Sequence, residues 1–278
     1  MKARIITGLT LAVMLGGVLY VGGYLFAVLY ALMLCLSVYE IFKVIRQSEY
    51  KCVEWPVWLA VFVSVPLFME IKPSIMPTLV VVCGAVLLIT LMVMLRSKPR
   101  LIDIQMSLLP LVAVLLPGCC MLGLSRIGMG YTWLEQPRVF SLMLMILAFA
   151  IPLFGDVMAY FIGKFFGRRK LCPEVSPNKT VEGAVAGLFG SIIISVVIYL
   201  IFSAFLEEMQ PIWHFIVLGF IAGIAGQTGD LFASIIKRTC GVKDYGSIFP
   251  GHGGAMDRLD SVYWATVCVY IYVNCIRM

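Results

Sequence analysis

The chain has 278 residues, of which 62% are hydrophobic and 13% charged, and a mean hydropathy of +1.01. Such a composition excludes a soluble globular protein, and the net charge of +6 follows membrane topology more than a nucleic-acid-binding face. The nine cysteines are scattered through apolar segments without a C-x-x-C pair, so they read as reduced core residues and not as zinc or redox motifs.

Lys2 and Arg4 precede an apolar run from Ile5 to Tyr39, too long for a signal-peptide core and without a cleavage site, which predicts a retained membrane segment. As one helix it would extend roughly 52 Å, against a hydrocarbon core of about 30 Å. It must fold back, and Gly22-Gly23 is the natural break. Further spans are predicted over 55–71, 74–95, 104–125, 139–163, 181–205, 212–236 and 259–276, giving an all-α polytopic integral membrane protein with about nine transmembrane helices. Pro56 and Pro66 make the third span kinked or partly interfacial. With the N-terminus cytoplasmic, all Lys and Arg fall inside except Lys72, Arg126, Arg138 and Arg277, the asymmetry expected of a cytoplasmic (inner) membrane protein.

Content divides the chain further. Residues 1–100 are spans joined by short basic loops and read as scaffold and lipid-facing surface. Residues 101–137 form one span and an outside loop within GLSRIGMGYTWLEQPR, whose Gly, Tyr and Trp suit an interfacial re-entry and a contact in a homodimer. Residues 138–278 carry the chemistry. No internal repeat is present, so a repeat-built transporter gains no support.

Asp156 lies within a span, followed by a basic inside loop and Ser176-Pro177-Asn178-Lys179-Thr180 ahead of the next helix. A helix N-terminus with these side chains suits an anion, and plain helix capping is the other reading of Ser176, Asn178 and Thr180. The richest stretch is Gly229–Ser261. Asp230, Ser234 and Lys237 share one helix face, as do Asp257 and Asp260. Between them lie Arg238, Lys243, Asp244, His252 and Arg258, with Gly246, Gly251, Gly253 and Gly254 permitting close backbone approach. Carboxylates beside cations beside glycines suggest a metal-bound phosphate. Acids within spans are costly, and Asp156, Asp230 and Asp260 converge at similar shallow depth on the cytoplasmic side, which makes them functional candidates.

The run S-x-x-K-R-x4-K-D followed by P-G-H-G-G-x-x-D-R-x-D, from Ser234 to Asp260, resembles the signature of the phosphatidate cytidylyltransferases, or CDP-diacylglycerol synthases. Ala255 departs from it, standing where the family usually carries a larger aliphatic residue. A second element is similar as well: Asp156, Ala159-Tyr160, Gly163, Gly167-Arg168 and Ser176 to Gly183. Together the two cover residues 153–262.

The resemblance implies an enzyme of phospholipid biosynthesis that transfers CMP from CTP to phosphatidate, giving CDP-diacylglycerol and pyrophosphate. It implies Asp230, Asp257 and Asp260 as ligands of Mg²⁺, with one or two ions, and Asp230, Lys237, Arg238, Asp257 and Asp260 as catalytic residues. Ser234, Lys243 and Arg258 would join Lys237 and Arg238 around phosphates, while Ser176, Asn178, Lys179 and Thr180 would position nucleotide or lipid headgroup. Asp156 and Asp244 either serve the substrate site or partner a nearby cation; His252 either orients a carboxylate or phosphate or simply belongs to the turn. His214 reads as structural. The rivals are a cytidylyltransferase for another lipid phosphate and an ion-coupled transporter. The D-G-x2-A-R-x8-G-x3-D-x3-D pattern of CDP-alcohol phosphotransferases is not found.

Overall fold

The computed structural model describes residues 2–70, 76–127, 136–207, 209–249 and 253–276. Most of the outside loop, with the homodimer contact expected of it, and His252 lie outside the described residues. The chain forms two compact units, each discontinuous in sequence: Met1–Gly123 with Lys237–Arg258, and Leu124–Ile236 with Leu259–Met278.

Unit one begins with α1 (Lys2–Val21) and α2 (Gly23–Arg46), separated at the expected Gly22-Gly23 break. Both glycines have φ near +60° (60° and 56°), a left-handed conformation that disfavours other side chains. On α2, Phe26, Ala27, Tyr30, Leu34, Val38, Ile41, Phe42 and Ile45 are buried at three- and four-residue intervals, giving one core-facing stripe. Its opposite side leaves Tyr24, Leu25, Val28 and Leu32 exposed, the inverse of a soluble surface and suited to lipid.

Next come α3 (Trp55–Glu70), α4 (Met76–Met94), α5 (Leu101–Pro110) and α6 (Leu116–Ile127). A π-helical turn, Leu111–Leu115, joins α5 to α6 directly after Pro110, whose missing N–H interrupts the ladder. The α5–α6 rod and α2 fit closely, since a methyl added at Gly118 would overlap the Leu34 side chain. At the basic-loop end of the unit, Asp103 is 2% exposed and accepts from Arg100 at 2.9 Å and from the Lys51 amide at 3.0 Å, with Arg96 3.7 Å away. The basic loops after α2 and α4 therefore do more than report topology: the second neutralises a buried acid and the first gives it a backbone amide.

Unit two is built on α7 (Pro137–Phe166), α8 (Val181–Phe202), most of α9 (Ile212–Thr239) and most of α10 (Met256–Ile276). The chain is all-helical as expected, with one local exception in this unit. A short antiparallel hairpin, β1 (Lys170–Cys172) and β2 (Ser176–Thr180), connects α7 to α8. Small residues set the crossing of those helices: methyls on Gly155, Gly183 and Gly187 would come within 2.5 Å of Ser191 Oγ, 2.7 Å of the Ala159 carbonyl and 2.9 Å of the Gly155 carbonyl. The four-residue spacing of Gly155, Ala159 and Gly163 on α7, and of Gly183, Gly187 and Ser191 on α8, is the small-residue stripe that lets membrane helices touch along their backbones. Gly219 and Gly223 bring α9 equally close to Ser191 and Ser195 of α8. His214 is buried, 3.0 Å from the Tyr272 hydroxyl and stacked on Trp213, consistent with a structural role.

Among the described residues, seven helices are long and apolar enough to cross a membrane: α2, α4, the α5–α6 rod, α7, α8, α9 and α10. The chain is thus a polytopic membrane protein. The expected third span forms α3, whose 16 residues reach only about 24 Å at 1.5 Å per residue, and its apolar part is shorter still.

Two measurements test this packing. Gly183→Val should destabilise the detergent-solubilised protein by about 1–3 kcal/mol through overpacking, whereas Gly84→Ala, with open space at the new methyl, should be neutral or slightly stabilising in the same thermal melt. In the loop after α2, burial pushes the Cys52 thiol up to about 11. Because the thiolate is the nucleophile, mass spectrometry should find Cys52 alkylated at pH 8 about 100-fold more slowly in the folded protein than in the denatured chain.

Candidate active site

In unit two, the hairpin and α8 are fastened by their own polar groups. The backbone amides of Arg168 and Arg169 donate to the Glu182 carboxylate at 3.0 and 3.2 Å. Thr180 is buried, and its hydroxyl accepts from the Gly183 amide at 3.1 Å, capping α8. For Thr180, therefore, the structure supplies the capping role. Ser176 and Asn178 sit on β2, with Asn178 exposed.

Lys179, the next residue on β2, reaches Asp230 of α9, with its ammonium 2.5 Å from Oδ2. Both side chains remain about a quarter exposed (27% and 24%), so the pair is reachable by solvent and solute. Next to Asp230, Gly229 lets α9 touch α10: a methyl there would stand 2.7 Å from the Asp260 carbonyl and overlap Trp264. Asp260 is 7% exposed, and its Oδ1 accepts from the Ser261 amide at 2.7 Å. Unit two thus places Asp230 and Asp260 on adjoining helices at the same level, with Lys179 supplying positive charge. Ser234 is buried on α9, and Asp156 is half-buried on α7.

In unit one, the last turn of α9 ends in a left-handed cap. Val242 N bonds to Lys237 O at 2.9 Å and Gly241 N to Arg238 O at 3.0 Å, while Gly241 has φ +71°. The chain then turns back so that Asp257, at the start of α10, collects three donors. Lys237 Nζ lies 2.8 Å from Oδ1; the Tyr245 and Gly254 amides lie 2.9 and 3.0 Å from Oδ2. Lys237 also stands 5.3 Å from the Tyr245 ring centroid, a cation–π distance. Arg238, Lys243, Asp244 and Arg258 are exposed. A buried clamp therefore holds a loop whose remaining cations are exposed.

One residue of this site escaped the sequence reading. Glu40 of α2 is 1% exposed, and its carboxylate accepts from the Met256 amide at 2.9 Å. The available signal was an acid inside an apolar run, the same signal that singled out Asp156 and Asp230.

A hard divalent cation prefers carboxylate oxygens, and unit two offers those of Asp230 and Asp260. Among the described residues, no group of three or more His, Cys, Asp and Glu side chains is assembled for a metal. Of the expected ligands, Asp230 is paired with Lys179, and Asp257 already has both oxygens engaged by Lys237 and amides.

Carboxylates on apolar helices, with Asp230 met by a lysine and Asp257 by a lysine and backbone amides, define the class: a polytopic membrane protein with polar groups set among its helices. The chain belongs to the cytidylyltransferase family, whose profile matches residues 2–276. It is similar to phosphatidate cytidylyltransferases of Staphylococcus saprophyticus and Staphylococcus aureus, each 39% identical over 142 residues, and of Staphylococcus epidermidis, 38% identical over the same length. Each match covers 51% of this chain and 53% of the relative, so the chain spans about half the length of the curated relatives it matches.

The Lys237–Asp257 pair is buried at both ends (11% and 4% exposed), and removing one partner strands the other. Asp257→Ala should therefore cost about 3–5 kcal/mol of stability, measured by thermal or denaturant unfolding in detergent. The exposed Arg238→Ala should leave the unfolding midpoint nearly unchanged.

Proposed function

We propose that the protein is a phosphatidate cytidylyltransferase, transferring CMP from CTP to phosphatidate in phospholipid biosynthesis. The observation that carries this reading is the clamp of Lys237, Tyr245 and Gly254 on Asp257 within the family signature, with Arg238, Lys243 and Arg258 left exposed on the same segment. The names of the staphylococcal relatives support it.

Both substrates are polyanions, so the barrier is dominated by their repulsion and by charge developing on the departing pyrophosphate. A phosphate monoester has its second pKa near 6, so the lipid phosphate is already a nucleophile at neutral pH and needs no strong base. One of its oxygens forms a bond to the α-phosphorus of CTP as the α–β anhydride bond breaks, and the electron pair leaves with pyrophosphate. Lys237, held by Asp257, presents a fixed ammonium; Arg238, Lys243 and Arg258 gather phosphate oxygens. Lys179 does the same beside Asp230, with Ser176 and Asn178 on its strand orienting nucleotide or headgroup. Ser234, Asp156, Asp244 and His252 complete the proposed substrate site.

Asp230 and Asp260, with Asp257 as the third acid of the signature, are the proposed ligands of Mg²⁺. Such an ion supplies neutralisation of polyphosphate charge. The proposed topology has about nine crossings with the N-terminus cytoplasmic, in the cytoplasmic membrane. The polar site then faces the compartment that holds CTP, while phosphatidate arrives from the bilayer.

The test is conversion of labelled CTP to a lipid-extractable product by the purified protein with phosphatidate and Mg²⁺. Asp230→Asn and Asp260→Asn should each lose about 100-fold or more, the scale of one removed electrostatic group. If folded wild-type protein yields product only with a different lipid phosphate, the substrate assignment falls. If it yields none with any, the enzyme reading falls and ion transport in sealed vesicles becomes the next assay.

A further inference from the structure

The N-terminal helices carry none of the signature, yet one of their side chains reaches the segment that follows α9. Glu40 is the acid concerned, and it is buried. Its Oε2 accepts from Met256 N at 2.9 Å, while Oε1 has no hydrogen-bond partner among the described residues. The backbone of the loop presses on this carboxylate from two points. A methyl at Gly246 or at Gly254 would overlap it.

Asp257 holds the same loop through the Tyr245 and Gly254 amides. Between the two carboxylates, the amides of Tyr245, Gly254 and Met256 are all committed, and the first turn of α10 is fixed by an acceptor from another helix. A buried carboxylate met by backbone amides is a costly way to fill space, since an apolar side chain of similar volume would pack without desolvating a charge. What that arrangement supplies is a hydrogen bond of defined length and direction at one backbone amide.

We propose that Glu40 is a positioning residue for the cytidylyltransferase reaction. It sets the backbone from Gly254 to Met256, and through it the Asp257 carboxylate that orients Lys237. The proposal rests on the functional reading above, and Glu40 itself touches no substrate. What matters is acceptor reach, not charge. A Gln at position 40 keeps an oxygen for Met256 N–H, whereas an Asp keeps the charge but withdraws it by about 1.5 Å, one carbon–carbon bond. Gly246 and Gly254 become requirements of the same contact, being the residues whose lack of a side chain admits the carboxylate.

The test compares Glu40→Gln, Glu40→Asp and Glu40→Ala in the full-length detergent-solubilised protein by two readouts. The first is amide hydrogen exchange of the segment 245–257, and the second is kcat and KM with CTP and phosphatidate. Glu40→Gln should retain exchange protection and kcat within about threefold of wild type. Glu40→Asp should lose protection across 245–257 and lower kcat by about 10–100-fold, the scale of a displaced catalytic group. Gly254→Ala should be impaired alone and partly restored in combination with Glu40→Ala, because the overlap is removed. The proposal is overturned if Glu40→Asp keeps wild-type protection and kcat, or if Glu40→Gln is as damaged as Glu40→Asp. Should Glu40→Ala fail to fold, the Gln and Asp pair decides alone. Wild-type protein that makes no lipid product sinks the functional reading, while the exchange measurement still decides whether Glu40 holds the loop.

Discussion

A carboxylate inside an apolar helical bundle must be met by a cation or by N–H groups, and this constraint organises the main polar clusters among the described residues. Asp103 gathers Arg96, Arg100 and the Lys51 amide, and so ties two loops to one end of unit one. Asp257 gathers Lys237 and two amides, and so closes the loop that precedes α10. Asp230 takes Lys179 from the hairpin. Glu40 is met by the backbone of the loop that Asp257 closes, its Oε2 accepting from the Met256 amide.

These acids divide by what their partners can give up. Asp103 is sealed at 2% exposure and serves as a structural node. The Lys179–Asp230 pair remains partly open on both sides, so an incoming polyphosphate or cation can exchange with either partner at small cost. The proposed site for two polyanions would need that difference: some charges locked to keep geometry, others loosely paired to meet ligand. The exposed Arg238, Lys243 and Arg258 extend the second group.

Backbone proximity does the remaining work. Where α7, α8, α9 and α10 approach through glycine, no side chain separates the helices, and residues beside those glycines are held to the accuracy of the main chain. Asp230 follows Gly229 at such a contact. Its position owes as much to a missing Cβ as to any interaction of its own.

The sequence by itself determined the membrane character, the break at Gly22-Gly23, the order of most spans and the signature from Ser234 to Asp260, because hydropathy, glycine and local spacing are properties of neighbouring residues. Length alone left the standing of α3 unresolved, and strand formation at Ser176–Thr180 was hidden by residues that suit a cap as well as a hairpin. Only the tertiary structure decided the partners. Lys179 meets Asp230 across about fifty residues, and Glu40 meets Met256 across 216. Such pairings come from how helices pack side by side, where shape and small-residue contacts choose neighbours that no local pattern encodes.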